Sequence, residues 1–242
     1  MANLAQLIYA IQDDANREVR DSEDLKFIGH CLANASDTYS QNYQDVFALY
    51  ATDYMKNGYF VDFGATDGKT INNTYLLEKR YGWKGIVAEP NSYWHNDLIK
   101  NRFGHISFDC VYSETGKEIE FIASDTPDIS GIKEFASRDE HTQKRNIGTT
   151  IKVTTISLLD LLNKYRARDT IDYLSIDTEG SEYMILKAFF DNPGHYNIRN
   201  ITVEHNYIPE DRELIFQLLS ANGYTRKFPQ LTRCDDFYTK VK

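Results

Sequence analysis

Five acids stand where a run of apolar residues gives out: Asp62 after Tyr59-Phe60-Val61, Glu89 after Gly85 to Ala88, Asp109 after the run from His105, Asp177 after Ile171 to Ile176, and Glu204 after Ile198 to Val203. Unbroken apolar runs of this kind are how strands buried on both faces of a parallel sheet read. In an open α/β sheet the carboxyl ends of the strands form one crevice, so these acids are expected on one rim. Taken singly, each reads as a helix N-cap. Together they repel, and clustered carboxylates persist where a cation, a metal or hydroxyl groups compensate them.

The turn after the first run is G-Y-F-V-D-F-G-A-T-D-G, from Gly58 to Gly68. Gly64 and Gly68 let the backbone come close to a ligand, and the carboxylates of Asp62 and Asp67 suit hydroxyls, an ammonium or a sulfonium better than a phosphate. The G-x-G-x-x-G spacing of a pyrophosphate cradle is absent. Glu89 follows Gly68 by 21 residues, close to the separation at which an acid takes the ribose hydroxyls of an adenosine ligand in doubly wound sheets.

With 242 residues, 41% hydrophobic and 26% charged, the chain fits one sizeable domain with a real core. A net charge of −9 disfavours nucleic acid and anionic membranes, which need a basic footprint, and leaves a small molecule or glycan as the expected partner. Cys31, Cys110 and Cys234 are scattered and odd in number, so neither a disulfide framework nor a zinc site is indicated, and a reducing compartment fits. No basic leader with an apolar run and no window of membrane-spanning length is present, so a soluble, cytoplasmic protein is expected.

The elements that must position these residues alternate strand and helix, predicting a mostly parallel seven-stranded sheet with helices on both faces and an antiparallel hairpin from Gly223 to Val241 at one edge. Residues 1–39 read as a helical extension, with Leu4, Leu7, Ile8 and Ile11 at helical spacing, that packs on the domain or makes a dimer contact. The domain proper is expected over 40–242. Ser40 is expected to cap the helix carrying Val46, Phe47 and Leu49, and a helix is expected from Ile71 to Arg80. The polar stretch from Ser124 to Thr150 lacks apolar periodicity and reads as a lid or insertion without structure of its own.

Six segments, in this order, resemble the FkbM-type class I methyltransferases: Ser40-Gln41-Asn42-Tyr43-Gln44-Asp45; Val61-Asp62-Phe63-Gly64-Ala65-Thr66-Asp67-Gly68; Asn73-Thr74 with Leu77-Glu78; Gly82-Trp83-Lys84-Gly85-Ile86; Glu89-Pro90-Asn91; and Ile176-Asp177-Thr178-Glu179-Gly180-Ser181-Glu182. Thr66 stands where that family commonly has Asn, and Phe63 where it has a smaller residue. The resemblance implies a Rossmann-like methyltransferase fold, S-adenosylmethionine as cofactor, and methyl transfer to a hydroxyl, often of a sugar or polyketide. It further implies that the Gly64 turn, with Asp62, Asp67 and Gly68, lies against the methionyl part, that Glu89 binds the ribose, that Asp109 lies near the adenine, and that Pro90, Cys110 and Asp177 also belong to the cofactor site. Ser40, Gln41 and Asn72 are candidates to hold the methionyl carboxylate, with helix capping the alternative for Asn72.

A sugar hydroxyl needs a base or a metal to lose its proton. Asp177, Glu204 and His205 are similar to the acid sites where metal-dependent O-methyltransferases hold Mg2+, which Mn2+ can replace. His205 is alternatively the base, tuned by Asp177, Glu179 or Glu204. Tyr93, Trp94 and Tyr207 are candidates to stack on a sugar face. Two other readings stay open: an NAD-dependent sugar-modifying enzyme, and a glycan- or partner-binding module that has kept the fold without turnover.

Overall fold

In a computed structural model the described residues are 22–138, 142–145 and 147–241. The amphipathic stretch expected from Leu4 to Ile11 lies outside them. The chain runs α1 (Ser22–Ala33), α2 (Gln44–Ala51), β1 (Tyr59–Phe63), α3 (Tyr75–Tyr81), β2 (Lys84–Ala88), α4 (His95–Asn101), β3 (His105–Ser107), β4 (Cys110–Tyr112), β5 (Glu118–Ser124), a 3-10 turn (Pro127–Ile129), β6 (Gly131–Ile132), α5 (Thr142–Arg145), β7 (Gly148–Ser157), α6 (Leu158–Lys164), β8 (Thr170–Ile171), β9 (Tyr173–Ile176), α7 (Glu182–Asp191), β10 (Asn197–Ile198), β11 (Asn200–Glu204), α8 (Pro209–Ala221), β12 (Tyr224–Lys227) and β13 (Asp235–Lys240).

Seven strands form the main sheet in the order β12-β13-β11-β9-β1-β2-β3. β13 runs antiparallel to both its neighbours, and every other pair is parallel. All five residues of β1 are buried, because helices cover both faces. Val61 and Phe63 face α6, α7 and α8 through Leu161, Leu186 and Ile215. Phe60 faces α2, α3 and α4 through Leu49, Leu77 and Leu98, as the two-residue side-chain period of a strand requires. Helix α1 is tied to the same body: the Phe27 ring stacks on Phe228 with centroids 4.2 Å apart and clusters with Phe47 and Phe237.

The described residues of the stretch expected to lack structure include a 3-10 turn, β6 and α5, and the strands on either side of it pair with each other. Glu118–Ser124 pairs antiparallel with Gly148–Thr154, and β6 adds to the other edge of β5, so a second sheet of order β4-β7-β5-β6 stands beside the first. Its inner side chains, Phe121, Ile132 and Val153, make a small core with Cys110. Its longer strands, β5 and β7, flank the polar stretch, and only the two-residue β6 lies within it.

Two local expectations are corrected. Helix α3 starts at Tyr75, not Ile71, because Asn72 Oδ1 accepts the N–H groups of Thr74 at 3.0 Å and Tyr75 at 2.9 Å and holds the preceding residues out of the helix. Ser40 is not the N-cap of α2, whose cap position is Tyr43; its hydroxyl donates to Asp45 Oδ1 at 2.7 Å.

Candidate active site

The carboxyl ends of β1, β2, β9 and β11 open into a crevice of two lobes. The smaller, about 390 Å³, is walled by Phe63, Val111, Phe121 and Ile132, with Pro90, Asp109 and Cys110 at its side. The larger, about 1330 Å³, is polar and takes in Gln41, Thr66, Asp67, Trp94, Glu179, Glu204 and Tyr207. Gly64, Glu89, Ser130 and Asp177 line both lobes, so the two are one continuous site.

Gly64 is at the hinge between them. Its φ is +72°, and a Cβ there would stand 1.8 Å from the carbonyl oxygen of Asp177. Only glycine lets the end of β1 pass so near the end of β9. Glu89 is buried and accepts the Thr66 N–H at 3.0 Å on one carboxylate oxygen and the Asn91 N–H at 2.7 Å on the other. Each oxygen keeps a lone pair for a further donor. Burial pushes this carboxyl up to about 7, against the two N–H groups, which pull it down.

Asp177, Glu179 and Glu204 form the acidic centre: one oxygen from each lies within 4.8 Å of the others. Burial raises Glu204 well above the usual carboxylate range, and the neighbouring Asp177 adds to it. Asp177 is raised too, by burial first, with a hydrogen bond from Glu204 opposing. Glu204 Oε2 is buried without any hydrogen-bond partner. Glu179 sits at a left-handed φ of 62° and accepts from Arg145 at 2.6 Å and from Asn206 at 3.2 Å. The loop that presents it is held by Glu182, whose carboxylate takes the N–H groups of Thr178 at 2.8 Å and Gly180 at 3.0 Å. Thr66, Ile71, Asn206, Tyr207 and Arg233 also have positive φ and line the larger lobe, so unfavourable backbone conformations gather at the crevice.

Of the residues singled out in sequence, Gln41, Gly64, Asp67, Glu89, Pro90, Asp109, Cys110, Asp177, Glu179 and Glu204 line the crevice. Ser40, Asp62, Gly68, Asn72 and His205 do not. Asp62 is buried under the turn, accepting from Thr74 at 2.7 Å and Asn72 at 3.1 Å. Gly68 packs on Leu98 and Arg102. Asp109 binds Ser107 and Lys164; burial pushes it up, but these two partners more than offset that and hold it below the usual range. Trp94 and Tyr207 line the larger lobe, whereas Tyr93 turns away with two thirds of its surface exposed.

His205 is the main correction. Its imidazole is buried and neither ring nitrogen has a hydrogen-bond partner. The charges acting on it are Asp236 and Arg212, not the three acids, and burial lowers its pKa where neighbouring carboxylates were expected to raise it. Strand alternation explains the exchange: β11 turns Glu204 to the crevice, and the next residue falls on the other side. Glu179 takes the third place, so the constellation is all oxygen. Sequence reading missed Asp235, which accepts from Asn42 at 2.6 Å and Gln44 at 3.0 Å, because it meets these partners only through long-range packing.

An open parallel sheet with one antiparallel strand inserted next to its edge, and an acid-lined crevice at the strand ends, defines a class I methyltransferase. The sequence matches the Methyltransferase FkbM domain over residues 62–226, and the chain belongs to that family: it is an S-adenosylmethionine-dependent methyltransferase. No curated protein matches significantly. Similar solved structures include a fibrillarin/Nop5p complex (11% identity, 77% of this chain and 73% of that one, TM-score 0.36). They also include a precorrin-6y C5,15-methyltransferase from Geobacter metallireducens GS-15 (8%, 80% and 84%, TM-score 0.40). A third is a human methyltransferase 10 domain containing protein (13%, 90% and 96%, TM-score 0.40). No helix among the described residues is long and apolar enough to cross a membrane.

The crevice fits the cofactor. The apolar wall of the smaller lobe would suit a flat base, Glu89 has lone pairs for two hydroxyls, and Asp177, which lines both lobes, would offer a carboxylate to a sulfonium. When bound, S-adenosylmethionine supplies an electrophilic methyl group.

Proposed function

We propose that the protein methylates a hydroxyl of a sugar or glycan, with Asp177, Glu179 and Glu204 as the groups that activate it. The carrying observation is the unpartnered Glu204 Oε2 inside an all-oxygen cluster. Three carboxylate donors suit a hard divalent cation such as Mg2+ or Mn2+, and a cation there would lower the pKa of an acceptor hydroxyl. Without a cation, burial and mutual repulsion favour a proton on the Glu204–Asp177 pair, and its loss would leave a carboxylate to act as the base. The polar larger lobe, with Trp94 and Tyr207 in its wall, has the room and the hydrogen-bonding groups for a sugar ring.

Calorimetry with S-adenosylmethionine and S-adenosylhomocysteine tests the cofactor, and a screen of sugars and glycans with methyl-labelled cofactor tests the acceptor. Turnover that stops with chelator and returns with Mg2+ or Mn2+ supports the cation; turnover indifferent to chelator assigns the proton to the Asp177–Glu204 pair. Cofactor binding without turnover on any acceptor would return the binding-module reading.

A further inference from the structure

Among the described residues, the larger lobe is walled by six carboxylates, those of Asp67, Glu89, Asp128, Asp177, Glu179 and Glu204, and by one cationic side chain, Arg233. An exposed arginine beside so many acids would ordinarily fold onto one of them. Arg233 makes no hydrogen bond, ion pair or ring contact with any described residue. The other arginines at this end are committed: Arg212 and Arg226 to Asp236, and Arg138 to Asp211.

The backbone that carries Arg233 is firmly held. Its φ is 55°, and the chain on either side is pinned: the Leu231 N–H donates to the Phe228 carbonyl at 2.8 Å, the Asp235 N–H to the Thr232 carbonyl at 2.9 Å, and the His205 N–H to the Cys234 carbonyl at 2.7 Å. A non-glycine residue keeps a left-handed conformation where its surroundings over-determine it. Arg233 is thus fixed at the mouth of the lobe by its main chain, while its guanidinium is left to a ligand. Tyr207 and Ile71, about half exposed, line the same lobe and offer apolar faces to a ring.

We propose that Arg233 anchors an anionic group of the acceptor, so that the substrate class is an acidic sugar, carrying a carboxylate or a phosphate as well as the hydroxyl to be methylated. A guanidinium fork matches either anion with two parallel N–H donors. The acids deeper in the lobe repel an anion and accept from hydroxyls, which orients such a sugar with its charge outward and its hydroxyl toward Glu204. The proposal rests on the acceptor reading above; the competing owner of the arginine is the methionyl carboxylate of the cofactor.

The test is calorimetry on wild type, Arg233→Ala and Arg233→Lys, each saturated with S-adenosylhomocysteine and titrated with glucose, glucuronate and glucose 6-phosphate, and repeated without S-adenosylhomocysteine. The expected result is at least tenfold tighter binding of one or both acidic sugars than of glucose. That preference should be lost in Arg233→Ala and partly kept in Arg233→Lys, with S-adenosylhomocysteine affinity unchanged. Which acid binds distinguishes carboxylate from phosphate. A wild type without preference for the anions, or a preference that survives Arg233→Ala, overturns the proposal. A tenfold loss of S-adenosylhomocysteine affinity in Arg233→Ala overturns it too, by assigning the arginine to the cofactor. Failure of wild type to bind S-adenosylhomocysteine counts against the cofactor reading alone, and the cofactor-free titrations still report on Arg233.

Discussion

Arg145 and Glu179 form an ion pair at 2.6 Å with the arginine side chain fully buried, and through it the segment between β5 and β7 is fastened to the loop that presents the acidic centre. The same guanidinium donates to the carbonyls of Ile129 at 2.6 Å and Ala136 at 3.3 Å. The pair thus holds the segment's internal shape and its docking together.

Replacing Arg145 by Met should therefore cost about 3–5 kcal/mol, the usual result of removing one member of a buried pair. Urea denaturation measures the loss. Amide exchange should quicken across residues 125–147 more than in the main sheet, and in wild type it should slow when cofactor product and acceptor are both bound. Uniform exchange in every state would remove the idea that this segment closes over the crevice.

Glu204→Gln should stabilise the protein at high pH. The folded-state pKa of Glu204 is raised, so its contribution is fully present below the unfolded carboxylate range and is lost as pH rises through the folded value. Thermal denaturation without added metal should show the variant more stable than wild type by about 1–3 kcal/mol at pH 8 and close to equal at pH 5. Added Mn2+ should narrow the pH 8 gap by stabilising only the wild type. A gap independent of pH would contradict the burial argument.

His205→Gln should leave turnover and Mn2+ affinity within a few-fold of wild type, because His205 does not line the crevice and the charges acting on it are those of Asp236 and Arg212. Asp177→Asn and Glu204→Gln should each weaken Mn2+ binding at least tenfold, as read by electron paramagnetic resonance. A hundredfold fall in turnover for the histidine variant, with an unchanged denaturation midpoint, would restore it to the chemistry.

At the glycine turn two substitutions should go in opposite directions. Thr66 is β-branched and sits at φ 47°, where Asn is tolerated far better, so Thr66→Asn should stabilise by about 0.5–1 kcal/mol. Gly64→Ala places a methyl on the Asp177 carbonyl and should cost more than about 3 kcal/mol and abolish cofactor binding. Denaturant midpoints for the two variants check both.

Much of this site could be read from the chain because it is written in strand ends. Gly64, Glu89, Asp177 and Glu204 each close an apolar run, and a parallel sheet brings such positions together whatever the helices do. Asp62 closes such a run as well, yet its side chain serves the turn beneath the crevice, since strand alternation decides which neighbour faces the ligand. His205 was misplaced for the same reason. Arg233 and Asp235 carry no local pattern. Their roles come from loop geometry and from contacts with residues far away in sequence, and the second sheet is hard to read because the partners β5 and β7 are separated by a long polar stretch.

The insertion of β13 between β11 and β12 has a bearing on how the enzyme is made. Cys234 lines the crevice, and Asp235, the first residue of β13, accepts from Asn42 and Gln44 near the other end of the described chain. On the ribosome, β1, β2, β9 and β11 emerge with their acids long before the strand that completes the sheet. A nascent chain therefore holds an unfinished acidic pocket until residues 233–240 are released. Cofactor retention should appear only once residues 233–240 are released, and a ribosome stalled before residue 233 should carry a chain that displays the glycine turn but does not retain cofactor.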